Sequence, residues 1–373
     1  MDSRYRDADA RDDHRRDVGG RGVIPGRCRG GVWPIVANVL VLAALVVGTQ
    51  LLSRELGAAP ASASTAPWSG DVILVASGLL FLGLAFLLPL HAGLLNLAIH
   101  AQFLAGFAAG SLIPRYLDLP PGGEAPLALA VGALAGAAVG VIVAWLKRRF
   151  AIHEILSGLL LGAAMMFVPR GAGVGPVAPP ALTIGLGSLT GALPWAAGLK
   201  LPPNLVLAFG ILLLALGLIL GFLAAHFLRV SVRGFDLRAV GSNPLAAVAS
   251  GVDVDGVQSS MMVLGGACAG LTGALQLWSQ PAVALERWPF PLGFAGMAIV
   301  FLGAGYLRGA LLVALALAVW LNLPGSNEVL GSPEWGAAIT LLLVLPSLWV
   351  LPRLLPDQGA PRAIWRTRHR ESI

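Results

Sequence analysis

Apolar residues arrive along this chain in long blocks, and the blocks are about as long as a helix that crosses a bilayer. A hydrocarbon core of ~30 Å takes about 20 residues of helix. Blocks of that kind occupy residues 32–52, 71–89, 91–113, 126–146, 152–168, 204–228, 257–278 and 334–352. A further block, from Gly293 to Leu321, is too long for one ordinary span and carries Gly303-Ala304-Gly305-Tyr306-Leu307-Arg308-Gly309 in its middle. It reads as one long helix or as two short ones.

The basic residues between the blocks discriminate, because Lys and Arg accumulate in short cytoplasmic loops. Splitting the block at 305–308 gives ten crossings with both ends inside. The N-terminal tail, Lys147 to Arg149, Arg229, Arg233, Arg238, Arg308 and the C-terminal tail then place 20 basic residues inside. Only Arg54, Arg115, Arg170, Lys200 and Arg287, 5 in all, remain outside. A single helix gives nine crossings, 14 inside against 10 outside, with Arg308 stranded. The expected fold class is therefore all-α, a polytopic transmembrane helix bundle of about ten spans, N-in and C-in.

Composition agrees. The 373 residues are 57% hydrophobic and 12% charged, with a mean hydropathy of +0.80, whereas soluble domains run about 25% charged. Of 44 charged residues, 21 lie in residues 1–31 and 353–373. Residues 1–31 mix 8 Arg with 6 Asp and hold few large apolar groups, so they are expected to be a disordered cytoplasmic tail. Residues 32–352 form the transmembrane domain, with a long cytoplasmic loop at 229–256, and 353–373 a basic cytoplasmic tail. A cleavable signal peptide ending near Ala61-Ser62-Ala63 is the alternative for the N-terminus, but the run from Trp33 to Leu52 exceeds a signal core. The net charge of +6 reads as basic cytoplasmic excess and not as a nucleic-acid surface. Cys28 and Cys268 give neither a metal spacing nor a disulfide framework.

Enzyme signatures are missing. Lys147 and Lys200 each follow a leucine, which excludes a P-loop. His153-Glu154 meets Ser157 where a zinc motif needs histidine, and residues 186–190 read Leu-Gly-Ser-Leu-Thr, which is not a nucleophile elbow. Gly132, Gly136 and Gly140 recur every four residues, as do Gly266 and Gly270. Such spacing lines a helix face with small residues and allows close backbone approach, a packing role.

Three polar segments carry information. The loop 229–256 encloses a short helix whose limits are written out: Asn243 as N-cap, Pro244 at the first position, Leu245 to Ser250 as the body and Gly251 as C′ glycine. A rigid helix lying along the membrane surface suits a protein that receives force from a cytoplasmic partner; an ordinary capped loop helix is the plain alternative. Asn96, His100 and Gln102 fall inside a block, where polar groups are costly unless they face the bundle interior or an aqueous path. With Asn96 and His100 four apart, one helix face is expected to carry both. Interhelical hydrogen bonding is the plain alternative, and His91 is expected at the cytoplasmic interface. Glu154, after Lys147-Arg148-Arg149, is a weak candidate for the path, more simply an acid at a helix start.

Together these segments resemble the permease subunits of bacterial ABC importers of the branched-chain amino acid, ribose and nucleoside type, from about residue 71 to 350. Gly93-Leu-Leu-Asn96-Leu-Ala-Ile-His100-Ala-Gln102 is similar to the family's G-x-x-N-I-G-x-E-G-Q, and His153-Glu154-Ile-Leu-Ser157 to its N-E-I-I-S. Leu237-Arg238-Ala-Val-Gly241-Ser-Asn243-Pro244-Leu-Ala-Ala247, through Gly251-Val-Asp-Val254, is the most specific match; Gly293-Phe-Ala-Gly296-Met-Ala-Ile-Val-Phe-Leu-Gly303 is the fourth. Gln102 and the R-A-V-G-x-N-P run point to the nucleoside and simple-sugar branch. The resemblance implies that the short helix is a coupling helix seated in a groove of an ATPase subunit, through Arg238, Gly241, Asn243, Pro244, Ala246, Ala247 and Gly251, with Ala246 and Ala247 allowing close packing.

Departures fall at polar positions: His100 replaces the family's acid, Ala101 its glycine, His153 its asparagine, Gly162 a downstream asparagine and Ala295 an aspartate. The expected function is the permease half of an importer for a small polar solute, a nucleoside or simple sugar, across the inner membrane. No cofactor is expected on this chain, and ATP and Mg belong to the partner. The expected partners are that ATP-binding subunit, a second permease subunit, homologous or identical, an extracytoplasmic solute-binding protein and membrane lipid. The Gly- and Pro-rich loop 169–203 is a candidate lid or docking surface, or a plain connector. A rival class is an ion-gradient-driven secondary transporter, which would use inverted repeats and intramembrane acids; Glu154 is the one acid near a span interior, and no internal repeat is evident. A membrane scaffold without transport is a third.

Overall fold

The computed structural model describes residues 70–117, 123–165, 203–278, 293, 295–303 and 305–321. The tails, the blocks 32–52 and 334–352, Cys28 and the loop 169–203 up to its last residue lie outside the described residues. Among the described residues there are ten α-helices and one 3₁₀ turn: α1 Gly70–His91, α2 Ile99–Tyr116, α3 Glu124–Phe150, α4 Glu154–Met165, α5 Pro203–Val230, α6 Val232–Ser242, α7 Pro244–Ala249, α8 Val254–Leu275, α9 Ala295–Leu302 and α10 Leu307–Leu321, with the turn Gln276–Trp278 closing α8. Among the described residues no strand occurs. Of the described residues, three stretches of helix are long and apolar enough to cross a membrane, Val72–His91, Glu124–Phe150 and Leu207–Leu228.

Helix α1 is apolar on every side, which assigns it to the centre of the bundle. Leu74, Phe81, Phe86 and Ala85 on different faces are all fully buried. Helices α5, α8, α9 and α10 all pack on α1, and Phe86 meets Phe301 of α9 edge to face at 5.4 Å. Helix α5 has the opposite character. Ile211, Leu212, Ile219, Phe222 and Leu223 are exposed along it, a surface suited to hydrocarbon.

In lipid, apolar burial does not separate one helix contact from another, so close approach of small residues decides where helices meet. The expected glycine faces meet each other here. A Cβ at Gly136 would collide with the Gly266 carbonyl, and one at Gly140 would lie 2.7 Å from the Met262 carbonyl oxygen. Gly270 opposes Gly132 and Gly136, and Gly106 brings α2 against the same residue. Helices α2, α3 and α8 thus interlock backbone to backbone.

Two expectations are revised. The block 91–113 is not one helix: α1 runs to His91, residues 92–98 form no regular helix, and α2 begins at Ile99. The cause is a Schellman cap at Gly93 (φ 74°), where Gly93 N–H donates to Leu90 and Leu94 N–H to Pro89. The block 152–168 is helical over Glu154–Met165, and its residues 166–168 lie outside the described residues. The loop 229–256 contains two helices where one was expected, because Ser231 accepts from Gly234 N–H and starts α6. The Gly293–Leu321 segment divides as anticipated, with Gly305 at φ 74° and Gly303 packed against Gly309 and Ala310.

Candidate functional site

Two assemblies bring the sequence-derived residues together. The first lies where α1 gives way to α2. Proline at 89 has no N–H, so the helix offers no i→i−4 donor to the Ala85 carbonyl. Asn96 supplies one: its Nδ2 donates to Ala85 O at 3.1 Å and also to Gln102 Oε1 at 2.9 Å. Gln102 Nε2 in turn lies 3.9 Å from Met262 Sδ on α8. Asn96 and Gln102 are 0% exposed and His100 is 2% exposed. An unpaired amide at such depth costs about 1–3 kcal/mol, which these bonds largely avoid; among the described residues only Asn96 Oδ1 of this pair accepts nothing.

The expectation that Asn96 and His100 share a helix face is thereby corrected. Asn96 belongs to the non-helical connection, and His100 sits in the first turn of α2. Its backbone lies against Gly293, where a Cβ would approach His100 Cα to 2.5 Å. The group is a set of two amides and an imidazole at the meeting of α1, α2 and α8, buried from solvent.

Glu154 is separate from that group. Its Oε2 lies 3.1 Å from Lys147 Nζ and 3.6 Å from His153 Nδ1. Lys147 lies in the last turn of α3 and Glu154 begins α4, with Ala151 in the left-handed region between them (φ 53°). The pair therefore staples a tight interhelical turn. It borders a small pocket between α3, α4 and α8 that Asp255 and Gln258 also line.

The second assembly is the α5–α8 connection. Asn243 Oδ1 accepts from Ala246 N–H at 3.1 Å, Pro244 occupies the first helical position, and Gly251 (φ 81°) closes α7 with Gly251 N–H to Val248 and Val252 N–H to Ala247. Asp253 then caps α8 by accepting from Gly256 N–H at 2.9 Å. The short helix stands where the sequence puts it. Its two alanines differ: Ala246 is exposed, whereas Ala247 is 3% exposed and turned to the protein's own interior. Close packing of Ala247 is thus internal. The outward face presents Leu245, 83% exposed, and Val248, 60% exposed, continued on α6 by Val232 and Phe235.

Arg238 and Gly241 have internal contacts as well. The Arg238 guanidinium donates to the Leu228 carbonyl and so caps the end of α5. Gly241 abuts the His91 carbonyl, leaving no room for a Cβ. Sequence reasoning missed Gln258, whose Nε2 donates to Ala92 O at 3.3 Å, and Gly265, where a Cβ would lie 2.6 Å from Ala85 O. Pro89 was the readable signal, since a proline inside a helix announces a carbonyl in need of another donor.

Comparison with known proteins adds the context. The family model for the permease component of branched-chain amino acid transport systems matches residues 70–348. The guanosine ABC transporter permease protein of Bacillus subtilis is 30% identical over 298 residues, covering 76% of this chain and 82% of its own. The glucose ABC transporter permease protein of Haloferax volcanii is 28% identical, covering 75% and 74%. The nucleoside ABC transporter permease protein of Lactococcus lactis is 25% identical, covering 86% and 88%. No solved structure gives a significant match.

Proposed function

This chain belongs to the family of permease components of branched-chain amino acid transport systems, and we propose that it imports a nucleoside or simple sugar. Hydrolysis of ATP with Mg takes place on a separate ATP-binding subunit. The three relatives named above carry guanosine, glucose and nucleoside in their descriptions, which supports a polyhydroxylated neutral solute. A path lined by neutral amides suits such a solute, whose hydroxyls need donors and acceptors and no countercharge.

The observation that carries this reading is α7, a six-residue helix fixed at both ends by its own sequence, with Leu245 and Val248 held out from the protein. Apolar side chains on a rigid, small helix are suited to fill a groove on a partner. In this reading α6 and α7 face the cytoplasm and meet the ATPase, a second permease copy or homologue completes the path, and an extracytoplasmic binding protein delivers the solute. The chain then makes ten crossings of the inner membrane, with residues 1–31 and 353–373 inside. The basic end of α3, Lys147 to Arg149, lies on the same side by the positive-inside rule. Asn96, His100 and Gln102 border the path in its open states. Solute drives switching only to the extent that it binds one access state better than the other.

The test is affinity purification of the solubilised chain with its ATPase subunit, comparing wild type with Leu245→Glu and Ala246→Arg. Recovery of the ATPase with wild type, lost in both variants while the permease stays folded, is expected. Uptake by the chain alone with no ATPase recovered would overturn the reading.

A further inference from the structure

The two assemblies meet at one place, the end of α1. From α6, Gly241 is pressed against the His91 carbonyl. From the first turns of α8, Gln258 Nε2 donates to the next carbonyl, that of Ala92, at 3.3 Å. Helices α6 and α8 are the two elements that flank α7, so α7 is joined on both sides to consecutive carbonyls of a single turn. Beyond that turn Gly93 reverses the backbone, and three residues further Asn96 holds both the Ala85 carbonyl and Gln102. Gly265, two turns after Gln258 on α8, lies against Pro89 and Ala85 O on the other side of the same bend.

These contacts surround the weakest part of α1. Pro89 removes a helical hydrogen bond, and its replacement comes from a side chain outside the helix. A bend held by an exchangeable bond is a place where a helix end can move without breaking its main body. The geometry points to the segment His91–Asn96 as the transmission hinge of the transporter, with Gln258 as the positioning residue that converts movement of α7 into movement of the Asn96–Gln102 pair. This rests on the function proposed above. Gln258 lines a pocket together with Lys147, Glu154 and Asp255, while its Nε2 bonds the Ala92 carbonyl.

The consequence is uncoupling. Displacing Gln258 leaves α7 able to engage an ATPase while the pull on the 91–96 turn is lost. The experiment uses the complete transporter in proteoliposomes, with permease, ATPase and solute-binding protein, and reads solute uptake per ATP hydrolysed. Gln258→Met keeps length and helix preference but removes the donor; Gln258→Lys keeps a donor. Expected are wild-type recovery of the ATPase in both variants, uptake per ATP lowered about tenfold in Gln258→Met, and restoration to at least half of wild type in Gln258→Lys. Uptake per ATP unchanged in Gln258→Met, or uptake and hydrolysis falling together in proportion, would overturn the hinge assignment. Should Gln258→Met not assemble, the ratio in Gly265→Ala, which presses on the bend from the other side, decides in the same way. Failure of wild type to recover any ATPase would instead strike the proposed function itself.

Discussion

Asn96 Nδ2 lies 3.1 Å from the carbonyl oxygen of Ala85, an acceptor that α1 cannot satisfy because residue 89 is proline. The asparagine thus acts as a missing rung of a helix to which it does not belong. The bond is conditional on the proline, and that makes it testable without reference to transport.

Asn96→Leu is expected to destabilise the solubilised protein by about 1–3 kcal/mol, since Ala85 O and Gln102 Oε1 both lose a buried donor. In a Pro89→Ala background the backbone N–H of residue 89 returns to Ala85, and the same substitution is expected to cost less. Thermal unfolding of the four proteins in one detergent measures the interaction as a double-mutant cycle. Equal costs in both backgrounds would show that the proline does not create the need for Asn96.

Removing the cap of α7 addresses the other assembly. Asn243→Ala frees the Ala246 N–H and is expected to cost about 0.5–2 kcal/mol locally. Hydrogen exchange over residues 244–250 should quicken, with α8 unaffected because Asp253 caps it independently.

Glycines of the same spacing are expected to behave differently according to what faces them. Gly136→Ala and Gly270→Ala each drive a methyl group into a facing backbone, and expression and melting temperature should fall together. Gly162→Ala meets nothing within 4 Å. It should be neutral or stabilising, by up to about 1 kcal/mol, through helix propensity alone.

The staple between α3 and α4 is expected to depend on the two charges being opposite more than on which residue carries which. Glu154→Lys places like charges at the turn and should lower stability, while the exchange Lys147→Glu with Glu154→Lys should recover much of the loss. The partial exposure of Lys147 limits the effect to about 1 kcal/mol. Melting curves of the two single variants and the exchange read it directly.

Much of the bundle was legible because its signals are local. Asn243, Pro244 and Gly251 delimit α7 unaided, and the glycine repeats of α3 and α8 announced a contact that the fold then realises between them. The break at Gly303–Gly309 was legible from charge, through Arg308. The start of α2 was not, because Gly93 stands between His91 and a further apolar run, where a glycine is as common inside a spanning helix as outside one. Starting the second span at 91 placed Asn96 in a helix it does not occupy. Helix α6 escaped because its apolar residues, Leu237 and Val240 inward with Phe235 outward, are too few among charges to stand out from a loop. The role of Ala247 depends on which way α7 rolls on its neighbours, and no feature of a six-residue sequence sets that.

That roll divides the labour on α7. Ala247 and the capping bonds hold the helix to its own protein, while Leu245 and Val248 face away and support nothing within it. The outward residues are accordingly free to vary without loss of fold. In the proposed reading, the residues that meet the ATPase and the residues that hold the fold are different ones, so the first can change while the second stay as they are.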